Sequence, residues 1–234
     1  MIARMRLFRY SSGMATPGLE AVIFDYGEVL SLHQDGRHRA RLLSLSGLSN
    51  GRFWEAYRRI RPDYDRGAID GMSYWSRVLA LPGSSLDPGL LAELVREDVD
   101  SWSRINQEML AWSRTLRTAG YKTAILSNMP ADNLVFLKEK HPWFEEFPVR
   151  IFSCRLGLIK PEPAIYHRCL EALEVPPASA LFLDDTPGNV SAARALGMRA
   201  AVFRSPAETL PPLIRRYGLP PLPGETSGPG PQPE

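Results

Sequence analysis

The sequence predicts an α/β fold in which a doubly wound parallel sheet carries an inserted helical cap. Three observations support this prediction. Short apolar runs, typical of strands buried on both faces, recur along the chain. Segments with apolar residues at helical spacing separate these runs, as in βαβ units. Residues 25–120 separate the first run from the second, whereas a crossover with its helix needs only about a dozen residues.

Five apolar runs are expected to form the strands of the sheet. They cover residues 19–24, 121–126, 149–154, 180–183 and 199–203. Each run is continuous rather than alternating, which indicates that both of its faces are buried. Helices are therefore expected on both sides of the sheet.

Helix signals occur between the predicted strands. Met109, Trp112 and Leu116 repeat at helical spacing, and Gly120 is suited to the position that follows a helix. Residues 205–208, Ser-Pro-Ala-Glu, have the spacing of a capping box ahead of another apolar run. The long connection after the first strand has the same helical pattern. We therefore expect this connection to form a cap over the strand ends.

These patterns divide the chain into predicted parts. The core comprises residues 19–31 and 106–217, and the helical cap comprises residues 32–105. A basic, flexible extension is expected over residues 1–18. The tail, residues 218–234, is rich in proline and glycine, and we expect it to be disordered because such a composition buries little apolar surface.

Composition argues against several classes of partner. Of the 234 residues, 44% are hydrophobic and 23% are charged, and the net charge of +2 gives no basic stripe of the kind that binds nucleic acid. No apolar run approaches the ~20 residues of a membrane span. Cys154 and Cys169 fit buried thiols in a reducing, cytoplasmic location. The sequence leaves the oligomeric state unknown.

Polar residues follow three of the predicted strands. Asp25 follows the first strand, Ser127 the second, and Asp184 and Asp185 the fourth, while Lys160 lies in a loop ahead of a helix. Open α/β sheets bind ligands at the carboxyl ends of their strands. A carboxylate can act as a nucleophile, a lysine can neutralise phosphate charge, and paired carboxylates can hold Mg²⁺. The sequence therefore predicts a phosphoryl-transfer site at this edge of the sheet.

The four segments that contain these residues are residues 24–30 (FDYGEVL), 125–128 (ILSN), 157–163 (GLIKPEP) and 181–185 (LFLDD). In their order they resemble the four motifs of the haloacid dehalogenase-like (HAD) hydrolase superfamily. The long gap after the first motif is similar to that of the helical-capped members. Within these, the chain resembles phosphatases of the glucose-1-phosphate phosphatase type and the N-terminal phosphatase domain of epoxide hydrolases. The resemblance implies a Rossmann-like core and an Mg²⁺-dependent hydrolase.

The resemblance also implies roles for the matching residues. Asp25 would be the nucleophile. Ser127 and the backbone N–H of Asn128 would bind the phosphate, and Lys160 would stabilise the charge on the nucleophile and on the phosphate. Together, Asp25, Ser127 and Lys160 are the implied catalytic residues.

The same resemblance implies a set of Mg²⁺ ligands. Asp25, the carbonyl of Gly27 and the carboxylate of Asp185 would hold the metal ion. Asp184 would either orient Lys160 or share the metal. Asn189, in the loop after the carboxylate pair, would support the metal site.

Gly27 is a departure from the motif. The phosphatases usually have a second aspartate at this position, which protonates the leaving alcohol, and general acids typically contribute ~10²–10⁴-fold to the rate. The adjacent Glu28 could substitute, but a neighbouring side chain at a strand end is expected to point away. Other proton donors, or a substrate with a better leaving group, remain open.

Three functions follow as hypotheses. The first is an Mg²⁺-dependent phosphomonoester hydrolase with an aspartyl-phosphate intermediate, acting on a small phosphorylated metabolite such as a sugar phosphate. The second is a 2-haloacid dehalogenase, whose halide leaving group needs no proton donor. The third is a weakly active or non-catalytic binding module, motivated by Gly27 alone.

The predicted cap contains several aromatic and charged residues that could reach a substrate. We expect most of them to pack together or to face solvent, and one or two to line the site. The sequence does not indicate which ones among Trp54, Tyr57, Arg58, Arg61, Tyr64, Asp65, Arg66, Trp75 and Arg77.

Overall fold

A computed structural model of the protein describes residues 18–80 and 87–224. Within these ranges, five parallel strands form one sheet in the order β3-β2-β1-β4-β5. The strands are β1 (Ala21–Phe24), β2 (Lys122–Ser127), β3 (Val149–Phe152), β4 (Ala180–Asp184) and β5 (Arg199–Val202). Strand β1 therefore lies at the centre of the sheet, between β2 and β4.

Four helices lie in the connection between β1 and β2. They are α1 (Gly36–Ser46), α2 (Asn50–Asp65), α3 (Gly71–Leu79) and α4 (Pro88–Ser101). They have a hydrophobic cluster of their own, in which Tyr64 and Tyr74 stack with ring centroids 4.6 Å apart and Trp75 is fully buried. This separate core makes the insertion a packed unit, which we call the cap. No helix in the described ranges is long and apolar enough to cross a membrane.

The remaining helices cover both faces of the sheet. They are α5 (Gln107–Thr118), α6 (Ala131–Lys140), α7 (Ser153–Leu156), α8 (Pro163–Leu173), α9 (Pro187–Ala195) and α10 (Pro206–Tyr217). Alternate residues of β1 point to opposite faces: Val22 and Phe24 pack in the cluster that contains α5, α6 and α10. Ala21 and Ile23 pack in the cluster that contains α8 and α9. The predicted doubly wound α/β fold is confirmed.

The third strand is shorter than the sequence suggested. Strand β3 ends at Phe152, whereas the apolar run extended to Cys154. Ser153 instead begins α7, and its hydroxyl accepts a hydrogen bond from the backbone N–H of Met129 at 2.8 Å. The chain therefore turns away from the sheet edge next to the loop that follows β2.

Two chain crossings join the cap to the core. Ser31 and Ile105 form an isolated antiparallel bridge, and the N–H of Leu32 donates to the carbonyl of Arg104 at 2.8 Å. Directly after α2, Arg66 donates to Glu162 at 2.6 Å. The cap is thus held both at its crossings and at the end of α2.

The tail that was predicted to be disordered from residue 218 is packed against the core over its first part. Leu219 and Leu222 are each 4% exposed and belong to the same cluster as α5 and α10. The indole N–H of Trp112 donates to the carbonyl of Pro220 at 3.0 Å. The prediction was wrong for residues 218–224, because proline and glycine disfavour helix and strand but do not prevent a leucine from being buried. Residues 225–234, and the predicted extension over residues 1–17, lie outside the described ranges.

This packing gives a stability prediction. Leu219→Ala should lower the free energy of unfolding by about 2–4 kcal/mol, because it removes a buried side chain and leaves a cavity. Leu32→Ala is the matched control: Leu32 is 37% exposed, and the loss should be below about 1 kcal/mol. Urea denaturation monitored by tryptophan fluorescence measures both values. Equal losses in the two variants would contradict the packed tail.

Candidate active site

The carboxyl ends of three adjacent strands place the candidate residues together. Phe24 of β1 is in register with Ile125 of β2 and with Leu183 of β4. The residues that follow these positions therefore emerge at one edge of the sheet. Asp25 follows β1 directly, and Asp184 ends β4. The cavity at this edge, of about 240 Å³, is lined by Asp25, Gly27, Ser127, Asn128 and Asp185.

Lys160 lies buried beneath this cavity and joins the strand ends. Its Nζ is 2.8 Å from Oδ1 of Asp25 and 2.7 Å from Oδ2 of Asp184. The third bond of the ammonium runs to the carbonyl of Leu126 at 3.1 Å. The three donors of the ammonium are thus all used. Although burial alone opposes the charge, the carboxylates of Asp25 and Asp184 raise the pKa of Lys160 above its ordinary value.

Asn128 fixes the backbone of Lys160. Its side-chain Oδ1 accepts from the N–H of Lys160 at 2.8 Å, and its Nδ2 donates to the carbonyl of Lys160 at 3.0 Å. The resemblance implied only that the backbone N–H of Asn128 binds phosphate. The role of the Asn128 side chain could not be predicted, because nothing in the sequence indicates that its amide contacts a loop 32 residues away.

Asp184 is held by donors from its own loop as well as by Lys160. Its Oδ1 accepts from the N–H of Thr186 at 2.8 Å, and both of its oxygens accept from Nδ2 of Asn189 at 3.1 Å. These contacts fit a carboxylate that orients Lys160 better than one that is free to bind a metal ion. They also place Asn189 beside Asp184, as a support for that carboxylate.

Carboxylate oxygens of Asp25, Asp184 and Asp185 all lie within 4.8 Å of one another. This set fits Mg²⁺, which prefers oxygen ligands and is usually held by one or two carboxylates together with water and phosphate. Since Asp184 is engaged by its neighbours, Asp25 and Asp185 are the carboxylates best suited to be ligands. Gly27 lines the same cavity, so its carbonyl is available nearby.

The crowding of these acids shifts their pKa values. Burial raises the pKa of Asp25 to about 7; Lys160 opposes this shift, and the charges of Asp184 and Asp185 add to it. Burial also raises the pKa of Asp185 to about 6, with further contributions from Asp184 and Glu28. A divalent cation would relieve this repulsion, which is a second reason why the site suits one.

The loop after Asp25 turns sharply. Oδ1 of Asp25 accepts from the N–H of Tyr26 at 2.7 Å, and Glu28 has a positive φ of 57°. Glu28 is among the residues that line the cavity, and its Oε1 lies 2.6 Å from Nδ1 of His33. The left-handed conformation of its backbone is a local feature that strand periodicity does not predict.

Only three of the nine aromatic and charged cap residues that the sequence offered as possible substrate contacts line the cavity. Tyr57, Arg61 and Asp65 of α2 line it, as Asp25 does. Trp75 is instead fully buried in the cap core, and Arg66 binds Glu162 at the edge of the cap. Helical periodicity predicts which residues share a face of α2, but it does not predict which face overlies the site.

The raised pKa of Asp25 predicts a cost in stability. Between its ordinary value of 3.8 and about 7, the folded state binds this proton and the unfolded state does not, so stability falls as the pH rises through this range. Asp25→Asn removes the effect. In metal-free buffer at pH 8, this variant should be more stable than the wild type by roughly 1–4 kcal/mol, and the difference should vanish near pH 4.

Chemical denaturation of both proteins across this pH range, in the presence of a chelator, measures the difference. Asp63→Asn is the control, because the side chain of Asp63 is 58% exposed. A difference that does not change with pH, or an Asp25→Asn variant that is less stable at pH 8, would contradict this account of the site.

Comparison with known proteins places this site in a family. The model of haloacid dehalogenase-like hydrolases matches residues 19–197. The chain is 29% identical over 182 residues to a sesquiterpene phosphatase of Aspergillus oryzae, an alignment that covers 76% of this chain and 87% of that protein. It is 33% identical over 118 residues to bifunctional epoxide hydrolase 2 of Rattus norvegicus, which covers 49% of this chain and 21% of that protein. The chain thus spans about a fifth of the length of the epoxide hydrolases that it matches.

Solved structures show the same fold. A HAD family enzyme from Bacteroides thetaiotaomicron has a TM-score of 0.66 at 17% identity, covering 85% of this chain and 100% of that one. The structure of that enzyme in complex with magnesium and inorganic phosphate gives a TM-score of 0.62 at 20% identity. Because the family model matches residues 19–197, which is most of the chain and includes every candidate site residue, the chain belongs to the haloacid dehalogenase-like hydrolases.

Proposed function

We propose that the protein is an Mg²⁺-dependent phosphomonoesterase that forms an aspartyl-phosphate intermediate at Asp25. The observation that carries this proposal is the buried Lys160, bonded to Asp25 and Asp184 at the edge of the sheet where Asp185 also lies. An ammonium at this place can neutralise a phosphoryl group, and the adjacent carboxylate can attack it. The proposal also draws on a relative named as a phosphatase and on a related fold that binds magnesium and phosphate.

Each residue of the site has a role in this proposal. Lys160 holds Asp25 in place, keeps part of its population ionised against burial, and stabilises the negative charge that forms when the phosphoryl group is transferred. Ser127 and the N–H of Asn128 bind the phosphoryl oxygens. Asp184 orients Lys160. Asp25, the carbonyl of Gly27 and Asp185 would hold Mg²⁺, which would neutralise the charge of the phosphate when bound.

The reaction then proceeds in two steps. A carboxylate oxygen of Asp25 forms a bond to phosphorus while the bond from phosphorus to the alcohol oxygen breaks. Water subsequently attacks the phosphorus of the acyl phosphate, the bond from phosphorus to the Asp25 oxygen breaks, and inorganic phosphate leaves as the carboxylate is restored. The retained pair of Asp184 and Asp185 favours this chemistry over the displacement of halide, which needs no metal ion.

The substrate is proposed to be a small phosphorylated metabolite. The cavity of about 240 Å³ has a wall of polar groups from Tyr57, Arg61 and Asp65, and an apolar wall that includes Trp102 and Leu137. Hydroxyl groups of a sugar phosphate could bond to the polar wall.

We also propose that residues 32–105 act as the cap of this site and that the protein is cytoplasmic, where the free thiols of Cys154 and Cys169 would stay reduced.

A phosphate-release screen over sugar phosphates, nucleotides and aryl phosphates tests the proposal. With Mg²⁺, the wild type should release phosphate, a chelator should abolish the release, and added Mg²⁺ should restore it. Asp25→Asn should reduce the release to background. Asp185→Asn should raise the Mg²⁺ concentration needed for half-maximal activity, because it removes one metal ligand.

Two results would contradict the proposal. One is a folded wild type that releases no phosphate from any of these substrates. The other is halide release from a 2-haloacid at a rate that does not depend on Mg²⁺, which would favour the dehalogenase hypothesis instead.

A further inference from the structure

Departure of an alcohol from phosphorus needs a proton, and Gly27 has no side chain to supply it. Other acidic side chains on the wall of the cavity are therefore candidates. Apart from the carboxylates assigned to the metal ion and the nucleophile, the acids on this wall among the described residues are Glu28 and Asp65. The contacts of these two side chains distinguish them.

The carboxylate of Glu28 is paired with His33. Its Oε1 lies 2.6 Å from Nδ1 of His33, and 34% of its side chain is exposed. This contact turns the Glu28 carboxylate towards His33, and the geometry therefore gives it no free position from which to meet a leaving group.

Asp65 comes from the cap and is anchored above the catalytic strand ends. Its backbone carbonyl accepts a hydrogen bond from the hydroxyl of Ser153. The same hydroxyl accepts from the N–H of Met129, in the loop that follows Ser127. One serine thus ties the end of α2 to the loop that follows Ser127, which fixes Asp65 on the wall of the cavity that Asp25 and Ser127 also line.

Burial and the neighbouring carboxylate of Asp98 favour a proton on the carboxyl group of Asp65, against the opposing charge of Arg61. Arg61 donates to Oδ1 of Asp65 at 2.8 Å and to Oδ2 of Asp98 at 3.1 Å. Asp98 is fully buried and also accepts from the hydroxyl of Tyr57 at 2.8 Å. Since one guanidinium faces two carboxylates, this network has one negative charge in excess, and an unpaired buried charge is costly.

Among these carboxylates, Asp65 is the one that opens on the cavity, with 13% of its side chain exposed. Burial raises the pKa of Asp65; Arg61 and Lys160 oppose this shift, and Asp98 adds to it. The thiol of Cys154, on α7, and the hydroxyls of Tyr57 and Tyr74 are also close enough to interact with it. A protonated Asp65 would thus face the substrate, with Arg61 ready to stabilise the carboxylate left after proton transfer.

We propose that Asp65 is the general acid of this enzyme, in place of the side chain missing at Gly27; this rests on the proposed function. As the Asp25 oxygen bonds to phosphorus, the electron pair of the breaking P–O bond remains on the alcohol oxygen, and that oxygen takes the proton of Asp65. In the second step the Asp65 carboxylate accepts a proton from the attacking water, which restores the acid. The proposed proton donor is therefore a residue of the cap.

The test compares two leaving groups in the first turnover. Asp65→Asn should slow the release of glycerol from glycerol 3-phosphate by about 10²-fold or more, the contribution expected of a general acid. Release of nitrophenolate from 4-nitrophenyl phosphate should change little, because this anion departs without a proton. Asparagine can still accept the bond from Arg61, and Asp65→Glu, which keeps a carboxyl group, should retain more of the glycerol release than Asp65→Asn.

Asp63→Asn is the matched control, since Asp63 lies on the same helix and its side chain is 58% exposed. It should leave both rates unchanged. Equal slowing of both leaving groups by Asp65→Asn, or slowing of neither, would overturn the assignment of Asp65 while leaving the phosphatase proposal in place. Failure of the wild type to release phosphate from either substrate would instead overturn the proposed function and this inference with it.

Discussion

The buried ammonium of Lys160 is the interaction on which the rest of the site depends. Its side chain is fully buried, and it is bonded to Asp25, Asp184 and the carbonyl of Leu126. A buried charge is tolerated only when it is paired and fully hydrogen-bonded. The three acceptors come from β1, β2 and β4 or the residues that directly follow them, so Lys160 joins the three central strands at their carboxyl ends. Asn128 and Asn189 extend this network by fixing the lysine backbone and Asp184.

The same arrangement leaves the site short of positive charge. One ammonium faces the carboxylates of Asp25, Asp184 and Asp185, and the pKa values of Asp25 and Asp185 rise to about 7 and about 6 as a result of burial and mutual repulsion. A divalent cation would balance this excess. The unfavourable charge in the free protein and the proposed affinity for a metal ion would therefore be two consequences of one geometry, a case in which a functional site lowers stability. The cap repeats this pattern, since Arg61 faces both Asp65 and Asp98.

The fold, and the position of the candidate core residues at one edge of the sheet, could be predicted from the sequence for a physical reason. Continuous apolar runs indicate strands buried on both faces, and the polar residue that ends such a run must lie at the edge of the sheet. Asp25, Ser127 and Asp184 follow this rule. Lys160 does not end a strand, and its place could be inferred only from the resemblance of its loop to a known motif. Side-chain bonds between loops, such as those of Asn128 to Lys160, have no periodic signal.

The cap and the tail were less predictable. Periodicity groups Tyr57, Arg61 and Asp65 on α2, but which face of an inserted helix overlies the site depends on how the whole cap docks, through contacts such as Arg66 with Glu162. Leu219 and Leu222 were assigned to a disordered tail because composition was averaged over the segment. These two side chains are buried because they pack in the same hydrophobic cluster as α5 and α10. An average over the composition of the segment does not reveal the packing of single residues.

The central claim is that Asp25 carries the phosphoryl group during turnover. The most direct measurement is to mix the enzyme with Mg²⁺ and radiolabelled aryl phosphate, quench with acid within the first turnover, and reduce the protein with borohydride. Reduction converts a phosphorylated aspartate to homoserine, which peptide mass spectrometry can locate. The account predicts acid-stable label on the protein and homoserine at position 25. Label at another residue, or phosphate release with no labelled protein at any time during the first turnover, would contradict it.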